Sequence, residues 1–176
     1  MRRRTLLIGS LALTTTAVDE PDAADADNLL VIELASGKVV IEMMPDLAPQ
    51  HVQRIRELAH EGFYDGVVFH RVIPGFMAQT GDPTGTGRGG SSKPNLPAEF
   101  SQQPFKRGTL GMARSASPNS ANSQFFICFA PASHLNGQYT VWGQVVEGMD
   151  LVDKIAVGEP PRNPDKMIKV RVQSEM

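Results

Sequence analysis

Short runs in which apolar and polar residues alternate, separated by glycine and proline, limit this chain to a fold built mainly from short strands. The first run, at 29–44, predicts a β-hairpin, because apolar residues recur at every second position on either side of Ser36-Gly37. Six more short strands follow without βαβ units, which favours an antiparallel barrel or sandwich. A barrel is preferred because closure leaves no free sheet edge. The predicted strands lie at 67–73, 76–80, 108–113, 124–129, 139–145 and 167–173.

Two segments have the spacing of helices instead of strands. In the first, Asp46 is the expected N-cap, Pro49 suits the first turn and Gly62 suits the C-terminal cap. Apolar residues between them recur at helical spacing. A second, shorter helix is expected at 149–156. The sequence therefore predicts eight strands and two helices.

Composition supports one ordinary folded domain. The chain has 176 residues, of which 41% are hydrophobic, enough for a sizeable core. The net charge of −2 gives no reason to expect nucleic acid or an anionic membrane as a partner. The single cysteine, Cys128, cannot form an internal disulfide. It lies in an apolar run with no adjacent basic residue, so we expect a small buried side chain, not a reactive thiol.

No metal or cofactor is expected. His51 and His60 are nine positions apart, whereas two ligands on one helix face need three or four, and both are predicted to lie on the surface. The stretch GTGRGG at 85–90 matches the G-x-G-x-x-G pattern of dinucleotide sites. Such a site needs a helix directly after the glycines, but SSKPNLP follows, with two prolines. The glycines are therefore interpreted as part of a long loop at 83–107.

The N-terminus has the pattern of an export signal. Three arginines at positions 2–4 precede a short apolar run, which is too short to cross a membrane. Arg3-Arg4-Thr5-Leu6-Leu7 also matches the start of a twin-arginine signal. Small residues that would suit cleavage end at Ala17 or Ala26, and an acidic spacer covers 18–27. We expect export to the periplasm or beyond the cell; a disordered basic tail is the alternative.

The stretch VVFHRVIPGFMAQTGD at 67–82 is the strongest candidate for a functional site. It places two basic residues, His70 and Arg71, beside apolar side chains. Apart from Asp82 at its end, no Ser, Cys, Asp or Glu lies close in sequence to act as a nucleophile or base. A hydrolase is disfavoured because no recognisable nucleophile motif accompanies the histidines.

Several motifs in the same order resemble the cyclophilins, which are peptidyl-prolyl cis–trans isomerases. They are GFYDG, FHRVIPGFMAQTGD, MARS with NSANSQFFICF, and LNGQYTVWGQVVEGMD. The resemblance runs from about residue 28 to 174, and the compact loop at 83–97 is similar to the shorter bacterial branch. It implies a closed eight-stranded antiparallel β-barrel capped by two helices, formed by 28–176. It also implies an enzyme of protein folding; a proline-binding module or holding chaperone on the same fold is the alternative.

The resemblance also assigns residues to roles. It places the catalytic arginine at Arg71, with His70 beside it and Gln79 on a polar wall, and leaves open whether His70 is catalytic or structural. The proline pocket, the rest of the polar wall and the main chain that would pair with substrate make up the binding positions. These are Phe76, Met77, Ala113, Arg114, Gln124, Phe126, His134, Leu135 and Tyr139.

Three of these positions depart from the family pattern. His134 stands where eukaryotic members often have a tryptophan that is important for cyclosporin, so weak cyclosporin binding is expected. Tyr139 stands where a histidine is common, and Arg114 where an asparagine is common. Isomerase activity should survive all three changes, because Arg71 and the apolar pocket remain. The expected partners are proline-containing and unfolded polypeptides, and a monomer is expected.

The reaction implied by the resemblance explains the missing nucleophile. Rotation about an X–Pro bond is slow because amide resonance gives a barrier of about 18–20 kcal/mol. No covalent bond breaks, and the twisted amide nitrogen becomes basic. A fixed donor that interacts more strongly with the twisted amide lowers the barrier. Arginine suits this role because its guanidinium is always charged, planar and rich in donors.

Overall fold

The structure is a computed structural model that describes residues 26–176. It contains the eight strands and two helices that the sequence predicts, several of them shorter than expected. Helix α1 covers Pro49–His60 and α2 covers Met149–Val152. The strands are β1 Leu29–Leu34, β2 Gly37–Met43, β3 Arg71–Ile73, β4 Met77–Thr80, β5 Thr109–Met112, β6 Phe125–Cys128, β7 Val141–Glu147 and β8 Lys169–Val172.

All eight strands belong to one antiparallel sheet in the order β3-β4-β6-β5-β7-β2-β1-β8. The prediction of a closed barrel needs one correction, because the edge strands β3 and β8 do not pair with each other. The segment before β8, residues 153–168, covers the gap instead. It makes isolated bridges from Lys166 to Val68 and from Gly158 to Val72. The result is a curled sheet that is completed by irregular chain.

Alternation along the strands divides the core into two apolar clusters. The larger one contains Trp142, Tyr64 and Phe125, all fully buried, and includes the apolar face of α1. Their rings meet edge to face, with centroids 5.6 Å apart for Tyr64–Phe125 and 5.3 Å for Phe125–Trp142. The next residue of β6, Phe126, belongs to the smaller cluster on the opposite face of the sheet. Cys128 is buried there too, as predicted, and burial raises the pKa of its thiol to about 12.

The start of α1 differs from the prediction. The N-cap residue is Ala48, not Asp46, and no side chain of its own segment caps the helix. The carboxylate of Glu99, in the long loop, accepts hydrogen bonds from the main-chain N–H groups of Gln50 and His51, both at 3.1 Å. A negative charge at this position also interacts favourably with the positive end of the helix dipole. A residue about fifty positions away therefore supplies the cap.

The prediction that His51 lies on the surface is wrong. Its side chain is fully buried, and its Nδ1 lies 2.6 Å from Oε2 of Glu99. Burial lowers the pKa of His51 below its ordinary value, although the Glu99 carboxylate acts in the opposite direction. His60, by contrast, is exposed as predicted. At the other end of α1, Gly62 adopts a φ of +71° and ends the helix where the sequence predicts.

Glu99→Ala is expected to destabilise the fold by about 2 kcal/mol, because it removes the cap of α1 and leaves buried Nδ1 of His51 without a partner. Urea unfolding would measure the loss. Glu42→Ala is the matched control, since Glu42 is exposed on β2, and it should change stability by less than about 0.5 kcal/mol. Equal stability for the two variants would contradict the capping role.

The predicted signal peptide, its twin-arginine pattern and most of the acidic spacer fall on residues 1–25, which lie outside the described residues. Within residues 26–176, no helix has the length and apolar character needed to cross a membrane.

Candidate active site

Strand register places four residues of distant origin in one row across the sheet. Arg71 of β3 lies opposite Gln79 of β4, which lies opposite Phe126 of β6, which lies opposite Gly111 of β5. Gly111 is required here, because a Cβ atom would come within 2.4 Å of the Phe126 ring and 2.6 Å of Phe105. The row therefore runs from a cation, through an amide, to an aromatic ring that covers a glycine.

A cavity of about 630 Å³ opens above this row. Its apolar part is formed by Phe76, Met77, Phe126 and Leu135, of which the last three are buried. This apolar part can receive a compact ring such as that of proline, and the rest of the cavity leaves room for neighbouring residues of a peptide. Ten of the twelve predicted site residues line it, namely His70, Arg71, Phe76, Met77, Gln79, Ala113, Arg114, Phe126, Leu135 and Tyr139.

Arg71 stands at the edge of the cavity with its side chain 44% exposed. Its Nε donates to Oε1 of Glu159 at 2.8 Å, and its Nη1 donates to Oε1 of Gln79 at 3.4 Å. Among the described residues the remaining guanidinium hydrogens have no partner, so they are free to donate to a bound molecule.

His70 does not add a second positive charge to the site. It is 6% exposed, and burial lowers its pKa; the nearby Arg71 acts in the same direction, while Asp82 opposes the shift. At neutral pH the ring is therefore neutral, so the basic pair of the sequence is a single cation. Its Nδ1 has no hydrogen-bond partner within residues 26–176, although the ring lines the cavity.

A chain of side-chain amides supports Arg71 from the side opposite Glu159. The Nε2 of Gln79 donates to Oε1 of Gln124 at 2.9 Å. Gln124 in turn donates to the main-chain carbonyls of Gly87 at 3.1 Å and Gly89 at 2.8 Å. Gln124 lines an adjoining cleft of about 510 Å³, not the main cavity. It therefore contacts the cavity lining through Gln79 and Gly87.

The glycine-rich loop at 85–90 surrounds an anion that belongs to the chain itself. The carboxylate of Asp82 is fully buried and accepts four main-chain N–H bonds of 2.7–3.1 Å. Burial alone would raise its pKa, but hydrogen bonds from the loop outweigh that effect and lower the pKa to about 2. The glycines therefore serve a structural carboxylate and not a nucleotide phosphate. The donors are the amides of Thr84, Thr86, Gly87 and Gly89.

Comparison with known proteins decides the family. The family model described as cyclophilin type peptidyl-prolyl cis-trans isomerase matches residues 29–174. The chain belongs to this cyclophilin family. A Brucella suis protein named "Probable peptidyl-prolyl cis-trans isomerase" is 53% identical over 181 residues, which cover 94% of this chain and 92% of that protein. A peptidyl-prolyl cis-trans isomerase of Schizosaccharomyces pombe is 42% identical and covers 78% of this chain and 94% of its own length.

Solved cyclophilin structures have the same fold. The crystal structure of a cyclophilin from Hirschia baltica superposes with a TM-score of 0.80 at 30% identity, covering 86% of this chain and 76% of that one. A Cryptosporidium parvum cyclophilin solved in the presence of the dipeptide Ala-Pro gives a TM-score of 0.77 at 27% identity and covers 82% of this chain and 98% of that one. The present protein is thus a cyclophilin-type isomerase, with the activity and, apart from barrel closure, the fold that the resemblance implied.

The rim of this cyclophilin is built from the residues that depart from the family pattern. The Arg114 guanidinium stacks on the Tyr139 ring, 4.4 Å from its centroid, and donates to the carbonyls of Gln138 and Ser115. Arg114 therefore joins the loop after β5 to the loop before β7. His134 lies outside the cavity lining, with its ring 5.3 Å from that of Phe76.

The structure limits which main-chain groups near Ala113 could pair with a substrate backbone, as the resemblance predicts. The Ala113 N–H already donates to the carbonyl of Gln124 at 2.9 Å. This N–H is therefore not available to a substrate backbone.

Sequence reasoning missed five residues that line the cavity. Glu159 and Pro160 come from the segment before β8, and Gly85, Thr86 and Gly87 come from the loop around Asp82. The glycine pattern did mark the loop, although as a weak nucleotide motif. Nothing in the local sequence marks Glu159, which lies 88 positions after Arg71. Within residues 26–176, no three His, Cys, Asp or Glu side chains are grouped so that they could hold a metal ion.

Proposed function

We propose that this cyclophilin isomerises X–Pro bonds of polypeptides in the bacterial cell envelope, with Arg71 as the catalytic donor. The observation that carries the assignment of Arg71 is the position of its free guanidinium hydrogens, at the edge of an apolar cavity that suits a proline ring. The related Cryptosporidium cyclophilin, which was solved in the presence of Ala-Pro, supports proline-containing peptides as the substrate class.

In the proposed mechanism, the cavity holds the proline ring while the residue before it rotates. Phe76, Met77, Phe126 and Leu135 surround the ring and exclude water, which strengthens polar interactions at the cavity edge. As the amide twists, its nitrogen regains a lone pair. A guanidinium N–H of Arg71 then donates to that nitrogen or to the rotating carbonyl, and this interaction is stronger in the twisted state than in the planar one.

A protease-coupled assay on a short X–Pro peptide tests this proposal by comparing the wild type with Arg71→Ala. The same pair of proteins tests the alternative of a holding chaperone on the same fold. In that alternative, protection of an unfolded client from aggregation persists in Arg71→Ala, although isomerisation is lost. Protection that falls together with isomerase activity would count against it.

The envelope location is proposed from residues 1–27, where three arginines and an apolar run precede small residues that suit cleavage. Cell fractionation should find a shortened protein in the periplasm or outside the cell. A full-length protein in the cytosol would refute export. Replacing Arg3 and Arg4 together by Lys would separate a twin-arginine route, which should stop, from a general secretory route, which should continue.

We further propose that the protein works as a monomer. Large apolar side chains that are exposed within residues 26–176 are spread along the chain, at Phe100, Val146, Val157, Ile168 and Met176. Light scattering after size-exclusion chromatography should give the mass of one chain, and a mass twice as large would contradict the proposal.

Cyclosporin is expected to bind weakly, because His134 replaces a large apolar ring at the rim with a smaller polar one that packs on Phe76. His134→Trp should tighten binding about tenfold or more, since it adds apolar contact area at the rim. Titration calorimetry would measure both dissociation constants. Equal affinities for wild type and variant would contradict this explanation.

A further inference from the structure

The segment before β8 brings an acidic side chain to the active site. Gly158 and Val72 exchange two main-chain hydrogen bonds, 2.8 Å and 3.0 Å long. Gly158 precedes Glu159 and Val72 follows Arg71, so these bonds hold the two segments side by side. Gly158 is needed for this turn, because a Cβ atom would lie 2.6 Å from Cα of Pro161. The main chain thus fixes where Glu159 lies relative to Arg71.

The ion pair with Glu159 uses Nε of Arg71, the guanidinium nitrogen that carries a single hydrogen. Nε of Arg71 contacts Oε1 of Glu159 at 2.8 Å, whereas Nη1 contacts Gln79 at 3.4 Å. Because the guanidinium is planar and rigid, contacts at Nε and Nη1 together define the plane and rotation of the whole group. The one hydrogen left on Nη1 and the two on Nη2 are then held in fixed directions.

The two contacts come from different parts of the fold. Gln79 lies on β4 and is supported by Gln124 and the loop around Asp82, whereas Glu159 lies beyond α2. An exposed arginine without such contacts samples many rotamers, so a substrate would have to order it at the moment of reaction. A donor that is already ordered avoids that loss.

We propose that Glu159 is a positioning residue for the isomerase reaction, whose carboxylate fixes the guanidinium of Arg71 in its donating orientation. This inference rests on the proposed role of Arg71 as the donor. Glu159 does not act on the substrate itself. It is also not required for folding, because both side chains are about half exposed, 44% for Arg71 and 55% for Glu159, and exposed ion pairs add little stability.

The test compares Glu159→Ala, Glu159→Gln and Arg71→Ala with the double variant that combines Glu159→Ala and Arg71→Ala. Glu147→Ala is the matched control, because Glu147 is exposed and lies outside the cavity. We expect Glu159→Ala to lower kcat about three- to tenfold with little change in KM, the effect of one lost hydrogen bond. Glu159→Gln should keep most of the activity, because its amide oxygen still accepts from Nε. The melting temperature should change by less than about 4 °C.

Two further measurements distinguish positioning of Arg71 by Glu159 from a general effect on the active site. The NMR signal of the Arg71 Nε–H group should shift in Glu159→Ala, and its hydrogen should exchange faster with water. In the double variant, loss of Glu159 should cause no decrease beyond that of Arg71→Ala, because its effect acts through Arg71.

These experiments distinguish a failure of the inference about Glu159 from a failure of the proposed role of Arg71. Wild-type rates in Arg71→Ala would overturn the role of Arg71 and the inference with it. An Arg71→Ala variant with strongly reduced activity alongside a fully active Glu159→Ala would overturn only the inference. Higher activity in Glu159→Ala would also overturn it, since the carboxylate would then be competing with substrate for Arg71. A change in KM alone, or additive losses in the double variant, would contradict a positioning role.

Discussion

Arg71→Ala is expected to lower kcat/KM for a short X–Pro peptide about 10- to 100-fold. One hydrogen bond to a charged group contributes roughly 1.5–3 kcal/mol, which corresponds to about one to two powers of ten in rate. Some catalysis should remain, because the apolar cavity still holds the proline ring. The protease-coupled assay, run with single-exponential traces at low substrate, measures the ratio directly.

Two further substitutions show which property of Arg71 matters. Arg71→Lys keeps the positive charge but loses the planar fork, so contact with Glu159 and donation to substrate can no longer be made together. Its activity should lie between those of the wild type and Arg71→Ala. Arg162→Ala is the control, because Arg162 is exposed and does not line the cavity. If Arg71→Ala and Arg162→Ala were equally active, the proposed mechanism would be wrong.

Asp82→Ala is expected to cause the largest loss of stability, about 3 kcal/mol or more, because four main-chain N–H groups lose a charged acceptor at once. The melting temperature should fall by about 6–12 °C. The loop that contains these groups also holds Gln124 through the carbonyls of Gly87 and Gly89, so activity should decrease as well. Thermal unfolding, monitored by circular dichroism, measures the fall in melting temperature and the loss of stability.

The same carboxylate predicts how stability depends on pH. The pKa of Asp82 is about 2 in the folded protein, below its ordinary value of 3.8, so the unfolded chain binds a proton more readily. The stabilisation is therefore fully present above about pH 4 and is lost as the pH falls towards 2. In Asp82→Asn this part of the acid sensitivity should disappear, although the variant should be less stable at neutral pH.

The matched control is Asp46→Ala, since Asp46 is exposed and makes no side-chain hydrogen bond within the described residues. It should change stability by less than about 0.5 kcal/mol. A stability of Asp82→Ala close to that of Asp46→Ala would show that the loop does not depend on its internal carboxylate.

Element types and order could be predicted from the sequence, whereas strand ends could not. The segment 67–73 is rich in β-branched and aromatic residues, yet only Arg71–Ile73 forms strand β3. Val68 makes an isolated bridge to Lys166, because no long neighbouring strand lies there to pair with. Pairing partners set the length of a strand, and a local pattern does not contain them.

The predicted helix cap failed for a related reason. Asp46 has the right residue type near the start of α1, but the helix begins at Pro49, too far along for its side chain to act as the N-cap. Glu99 satisfies the free N–H groups from a loop that is distant in sequence. The same loop buries His51, which helical spacing alone had placed on the surface.

The sequence by itself determined the alternating strands, the residue types at the site and, through several ordered motifs, the family. Only the tertiary structure decided which of these side chains meet. Register placed Arg71 beside Gln79 and Phe126, and a long connection brought Glu159 to the guanidinium. The physical reason is that periodicity comes from backbone geometry over a few residues, whereas these contacts come from how a curled sheet closes on itself.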